Sequence, residues 1–288
     1  MADTETLDDL VRRVDPDRWL ATRFIADPAV RADVIALYGL NYELARVAGG
    51  VSNALMGEIR LTWWREAMEE IGRARMRGQK IAGETCPQYL VLTAEDLDTE
   101  NFEGAKYVCS PPPRDKPSQD ACWQGLETGV FDLFSSDHCP FRFEDSAGKK
   151  TEKGRKSFRW IPNGIPGVGT RLQILFSQGV AKGRIDVNRF VELTATNHAK
   201  LYGLYPQKGT IAVGSDADIA IWDPTAKGTI RNADLQHGAD YTPYEGMEIT
   251  GRPVTVLLRG EVAVENGELV AETGRGTYLP RGQSSLFR

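Results

Sequence analysis

Gly129-Val130-Phe131-Asp132-Leu133-Phe134-Ser135-Ser136-Asp137-His138-Cys139-Pro140-Phe141 sets an apolar run against an acid-and-imidazole terminus. Residues 129–135 read as a short buried strand that delivers Asp137 to its C-terminal end. Lys80-Ile81-Ala82-Gly83-Glu84 reads as a second such strand, and the spacing predicts a helix over Gln119–Gly129 between them. Strand, helix, strand is the grammar of a parallel sheet with its working loops at the strand C-termini. In an α/β barrel that end is the catalytic face, so a carboxylate followed by histidine there suggests metal-assisted hydrolysis. Such a metal needs several more ligands, mostly imidazoles. The chain holds three histidines, His138, His198 and His237.

Upstream the pattern changes. Residues 1–77 contain two of the 15 prolines, Pro16 and Pro28, and none of the four cysteines. Leu7, Leu10, Val11 and Val14 keep helical spacing up to Pro16. Asp27-Pro28 is an N-cap and first-turn pair, predicting a helix with Val30, Val34, Leu37, Tyr38, Leu44 and Val47 inward. Gly49-Gly50 breaks it, and Ser52 caps a further helix carrying Leu55, Ile59, Trp63 and Ala67, which runs on towards Arg77. Downstream, residues 186–203 read as a helix. Strands are expected at Thr210–Val213, Asp218–Trp222, Val254–Leu258, Glu261–Val264 and Glu268–Val270, the last two joined by an Asn266-Gly267 turn.

A hydrophobic fraction of 41% and a charged fraction of 26% are those of a globular protein. A net charge of -5 gives no general reason to expect nucleic acid or an anionic membrane as partner. No apolar run approaches the roughly 20 residues that span a bilayer, and the acidic start lacks the features of a signal peptide. Cys86, Cys109, Cys122 and Cys139 show no CxxC spacing, so each is expected to be a small buried apolar residue. A cytoplasmic location fits these features.

Four segments carry more than fold information: Gly83–Leu90, Lys106–Arg114, Ser135–Phe141 and Pro162–Gly167. Their order and spacing, continued through Thr194–Ala199, Gly214–Asp218 and Asp240–Gly246, resemble the C-terminal half of the dihydropyrimidinase and D-hydantoinase family of amidohydrolases. The resemblance covers about 210 residues. It implies an α/β fold class: the last strands of an amidohydrolase (β/α) barrel over residues 78–205, then part of a β-sandwich with a C-terminal tail over 206–288. It also implies two divalent metals, usually zinc, that activate a bridging hydroxide against a cyclic amide or imide. Asp137 matches the family's last metal-ligating aspartate, which also shuttles the proton to the leaving nitrogen. Ser110 and Asn163 match residues whose backbone groups hydrogen-bond the imide; loop capping is the plainer role for both. Hydantoin and dihydropyrimidine substrates both stay open, as does homo-oligomer formation through the sandwich and tail.

The departures from the family are as informative. It takes most of its ligands from earlier strands: a His-x-His pair, a carboxylated lysine and two further histidines. No histidine precedes Gly78. A catalytic tyrosine from an earlier loop has no counterpart, and Gly169 stands where the family usually carries glutamate. Residues 1–77 are similar instead to the N-terminus of a squalene/phytoene-synthase-like protein, through Asp17–Phe24, Ala36–Arg46 and Gly57–Arg65. That family's aspartate-rich, magnesium-diphosphate motif would fall near Ala45 to Gly49, where no aspartate stands. The resemblance is therefore to its divergent, assembly-factor-like branch. The expectation is a fusion of two truncated genes with its joint between Trp63 and Gly78, inactive alone, with open strand edges that invite association. A scaffold protein, and an enzyme whose missing ligands come from a partner chain, are the alternatives.

Overall fold

The computed structural model describes residues 6–50 and 71–287, and divides the chain into two compact units, Met1–Arg60 and Leu61–Arg288. In the first unit, α1 (Leu7–Val14) opens on a capping box in which the Thr6 hydroxyl accepts the Asp9 N–H at 3.2 Å. Asp15 caps α2 (Pro16–Thr22), with proline in its first turn. Asp27 accepts the Ala29 N–H at 2.8 Å at the start of α3 (Pro28–Gly50).

The buried stripe of α3 differs from the expected one. Ile35 and Gly39 are buried, whereas Val30 and Leu37 are exposed and Val34 and Tyr38 half-buried. Gly39 explains the rotation, because a Cβ there would sit 3.1 Å from Leu7 and 3.7 Å from Val11. The missing side chain lets α1 approach, and that approach turns the neighbouring positions inward. Leu44, Val47 and the helix expected from Ser52 through Ala67 lie outside the residues whose side chains are described.

In the second unit residues 71–76 are helical. Arg75 ties this turn to the sheet: its Nε donates to the Ile81 carbonyl at 2.9 Å, its Nη1 to Gly129 at 2.7 Å, and its Nη2 pairs with Asp132. Two strands follow, β1 (Glu84–Thr85) and β2 (Leu133–Phe134), paired in parallel. Both are shorter than the sequence implies, and β1 begins where the expected strand ends. Between them α4 (Lys116–Glu127) is capped by Asp115 and carries Gln119, Trp123 and Leu126 inward. Trp123 donates its indole N–H to the Leu90 carbonyl at 3.0 Å, so its one polar atom is satisfied in the core.

The far edge of β2 is covered by side chains. The Asp132 carbonyl accepts from Asn197 at 3.0 Å, and the Phe134 carbonyl from Arg171 at 2.6 Å and His198 at 3.2 Å. Arg189 donates to Phe131 and, at 2.9 Å, to Leu126. These donors lie at the start of α5 (Arg171–Leu175) and along the helical run α6 (Val187–Val191) to α7 (Asn197–Leu201), joined by a π-turn over Glu192–Thr196. This corrects the expectation of open edges for β2, because an accepting carbonyl already holding a charged donor is a poor template for another strand.

A four-stranded antiparallel sheet completes the unit, in the order β3 (Ile219–Thr229), β4 (Glu248–Leu258), β5 (Glu261–Glu265) and β6 (Glu268–Leu269). The strand expected at Thr210–Val213 is absent from the assigned elements, and β3 runs seven residues beyond the expected end at Trp222. It does so through an irregularity at Asp223, whose carboxylate accepts the N–H groups of Thr225 and Ala226 across Pro224. Trp222 stacks on Phe176 with centroids 4.8 Å apart and meets Phe190 edge-on at 5.4 Å. Those rings fasten the sheet to the helical layer. Asn266 and Gly267 both adopt positive φ, 52° and 88°, as the β5–β6 hairpin requires.

Candidate functional site

Three segments meet at the C-terminal ends of β1 and β2, and each carries one of the site residues read from sequence. His138 bridges in parallel to Ile165, and the Cys139 N–H donates to the Ile165 carbonyl at 3.2 Å. The Gly164 N–H donates to the Val108 carbonyl at 3.1 Å. The segment after Asp137 is thereby bonded to the segment after Asn163, and that one to the segment before Ser110. Gly164 has φ 140° and its missing Cβ would overlap Cys139, so only glycine permits the approach. Asp137, Ser110 and Asn163 are all exposed. Asp137 takes the left-handed conformation, φ 46°, which costs about 1 kcal/mol and is commoner for Asp than for most residues.

A fully buried lysine, for which the sequence offers no signal, holds the assembly from beneath. Lys149 Nζ donates to the Val108 carbonyl at 2.7 Å and the Pro162 carbonyl at 2.6 Å. Burial pushes its pKa down to about 8, against two carbonyl acceptors that favour the cation. Cys86 and Cys109 are buried as expected, and burial pushes both thiols up to about 12. Cys139 is exposed, contrary to expectation, because it follows the strand end rather than lying within the strand.

The histidines are committed to backbone. His138 Nδ1 accepts from the N–H groups of Gly167 at 3.0 Å and Val168 at 3.3 Å. Burial lowers its pKa, so the neutral ring carries its proton on Nε2 and neither nitrogen presents a free lone pair. His237 Nδ1 accepts from Ala239 at 3.2 Å, and its ring lies 6.2 Å from that of His138. His198 meets the Phe134 carbonyl through Nε2, which must therefore be its donor.

These residues do not fit a two-metal centre. Among the described residues no three His, Cys, Asp or Glu side chains converge to hold a metal ion. The buried thiols are not poised as thiolates, and His138, next to Asp137 in the chain, spends its Nδ1 lone pair on backbone N–H groups. No helix of the described residues is long and apolar enough to cross a membrane.

Comparisons with known proteins cover the stretch of chain that contains this geometry. A D-hydantoinase from Ralstonia pickettii is 51% identical over 216 residues, 75% of this chain and 46% of that relative. A D-hydantoinase from Geobacillus stearothermophilus is 50% identical over 219 residues, 76% of this chain and 45% of its own length. The crystal structure of dihydropyrimidinase from Brevibacillus agri superimposes with a TM-score of 0.71 at 49% identity, covering 76% of this chain and 46% of that one. The chain spans about half the length of the curated relatives it matches. Residues 11–99 match the squalene/phytoene synthase family model, and residues 85–263 the amidohydrolase family model, so the two overlap over 85–99. In that overlap β1 pairs with β2 and Leu90 packs beside Trp123 and Leu126, which assigns it structurally to the second match. Through residues 85–263 the chain belongs to the amidohydrolase family.

Proposed function

We propose that this chain carries the imide-binding side of a D-hydantoinase- or dihydropyrimidinase-type cyclic-amide hydrolase without the metal-binding side, and does not turn over substrate alone. The observation that supports this is the hydrogen-bonded convergence of the Ser110, Asp137 and Asn163 segments beside histidines already engaged by backbone. In this reading backbone groups at Ser110 and Asn163 accept and donate to the alternating amides and carbonyls of a planar ring. Asp137 keeps the place of a zinc-ligating, proton-shuttling carboxylate but not its companions. Residues 1–77 form the helical segment, 78–205 the barrel remnant, and 206–288 the sandwich part and tail.

Binding and turnover separate under this reading. Purified protein should bind hydantoin or dihydrouracil saturably at the Ser110 and Asn163 amides, followed by NMR, and should release no ring-opened product with or without zinc. About two tightly held metals per chain together with hydrolysis would overturn it. A scaffold role is the second reading, supported by Ile221, Val262 and Leu269, which the sheet leaves exposed. A discrete stoichiometric complex that forms through the sheet, with no imide binding, would favour that role.

A further inference from the structure

We propose that Lys149 is a positioning residue: its ammonium clamps the Val108 and Pro162 carbonyls together and so fixes the spacing of Ser110 and Asn163. It rests on the reading of those two as the imide-binding pair. The geometry is specific. Val108 lies two residues before Ser110, and Pro162 immediately before Asn163. One buried nitrogen reaches both carbonyls, at 2.7 and 2.6 Å. The two loops share one other bond, Gly164 N–H to Val108 O at 3.1 Å, so the Val108 carbonyl accepts twice.

The lysine is itself held. Its own N–H donates to the Arg142 carbonyl at 2.9 Å, and the preceding Gly148 lies so close to Arg142 that a Cβ would overlap backbone. Its ammonium sits 5.6 Å from the Phe141 ring centroid, on the segment that follows Asp137. Cys109 and Cys139 are the titratable groups that face it; burial pushes the Cys109 thiol up to about 12, and among the described residues no carboxylate pairs with the ammonium. A buried ammonium without a carboxylate costs free energy unless its donors are used. Here the donors are spent on the two loops that carry the candidate binding groups, rather than on packing alone.

The test compares Lys149→Met, which keeps length and removes charge, with Lys149→Arg, which keeps the charge. Amide exchange at Gly164 should quicken at least tenfold in the Met variant while amides of the β3–β4 ladder stay unchanged, and the Arg variant should recover part of the protection. Unchanged Gly164 exchange in a folded Lys149→Met protein overturns the clamp. Should that variant fail to fold, the wild type decides the matter: the Val108 and Pro162 carbonyl carbons should shift together in a single titration as pH rises from 7 to 10. Independent or absent shifts overturn the clamp as well. Hydantoin affinity is read in parallel. If the clamp responds as expected but no protein binds imide, the functional reading fails and the clamp stands. If the wild type binds imide and the Met variant binds it equally with Gly164 undisturbed, the clamp fails and the functional reading stands.

Discussion

The β1–β2 pair and the β3–β6 sheet are built by opposite means. Each strand of the first is two residues long, and its position depends on Arg75, Arg171, Arg189, Asn197 and His198 reaching backbone carbonyls from elsewhere in the chain. The long strands of the second span eleven residues each and hold one another by a backbone ladder, while residues 253–258 of β4 are only half-buried. Backbone pairing between neighbouring strands suffices for a ladder. The short parallel pair needs particular side chains at particular distances.

That contrast can be broken most easily in the core. Leu126→Ala, beneath β2 and fully buried, should destabilise the second unit by about 2–5 kcal/mol. Leu257→Ala in β4 should cost less than about 1.5 kcal/mol, because the half-buried side chain keeps part of its apolar surface in water in the folded state. Urea melts of both variants check this, and equal losses would erase the distinction. Lys149 gives a second measure. Its folded pKa is depressed to about 8 against an ordinary 10.5, so between those values the unfolded chain binds more protons. The cost is fully present below about pH 8, and stability should rise from there to about 10.5, by at most about 3 kcal/mol. The rise should vanish in Lys149→Met, measured as the pH dependence of the difference between the two proteins.

Arg75→Met comes next, at about 2 kcal/mol, since it strips donors from Ile81 and Gly129 and leaves Asp132 to the Gly83 N–H. A loss below about 0.5 kcal/mol would mean the long-range arginines are ornamental and the two sheets alike. The smallest effect belongs to Asp137→Ala. An exposed left-handed position without a bound metal should shift stability by less than about 0.5 kcal/mol, with no zinc dependence. A zinc-dependent melting difference would show that Asp137 works as a ligand after all.

Much of the architecture was legible because it is local. The Asp27-Pro28 helix start, the Asn266-Gly267 turn and the strand over Val254–Leu258 all announce themselves within a few residues, whereas the caps at Asp15 and Asp115 go unread and α4 begins three residues before its expected start. The extension of β3 past Trp222 was hidden by Asp223-Pro224, which reads as a stop but is absorbed as a bulge. Gly39 reads as a weak point in a helix, and its effect on the buried stripe depends on Leu7 and Val11 standing opposite. At the site, the Asp137, Ser110 and Asn163 segments follow from family resemblance rather than from chemistry visible in their own residues. Lys149 and the commitment of His138 to two backbone donors carry no pattern, because their partners lie 41 and 13 residues away for the first and 29 and 30 for the second.

The covering of β2 also has a consequence in time. Phe134 emerges from a ribosome 37 residues before Arg171, and Asp132 emerges 65 residues before Asn197. At about 5–20 residues per second, the strand waits roughly 2 to 13 seconds before its guardians are made. Through that interval the Asp132 and Phe134 carbonyls lack the side-chain donors that cover them in the folded chain. Synthesis speed between codons 135 and 197 is therefore a lever on yield that no property of the finished protein would disclose.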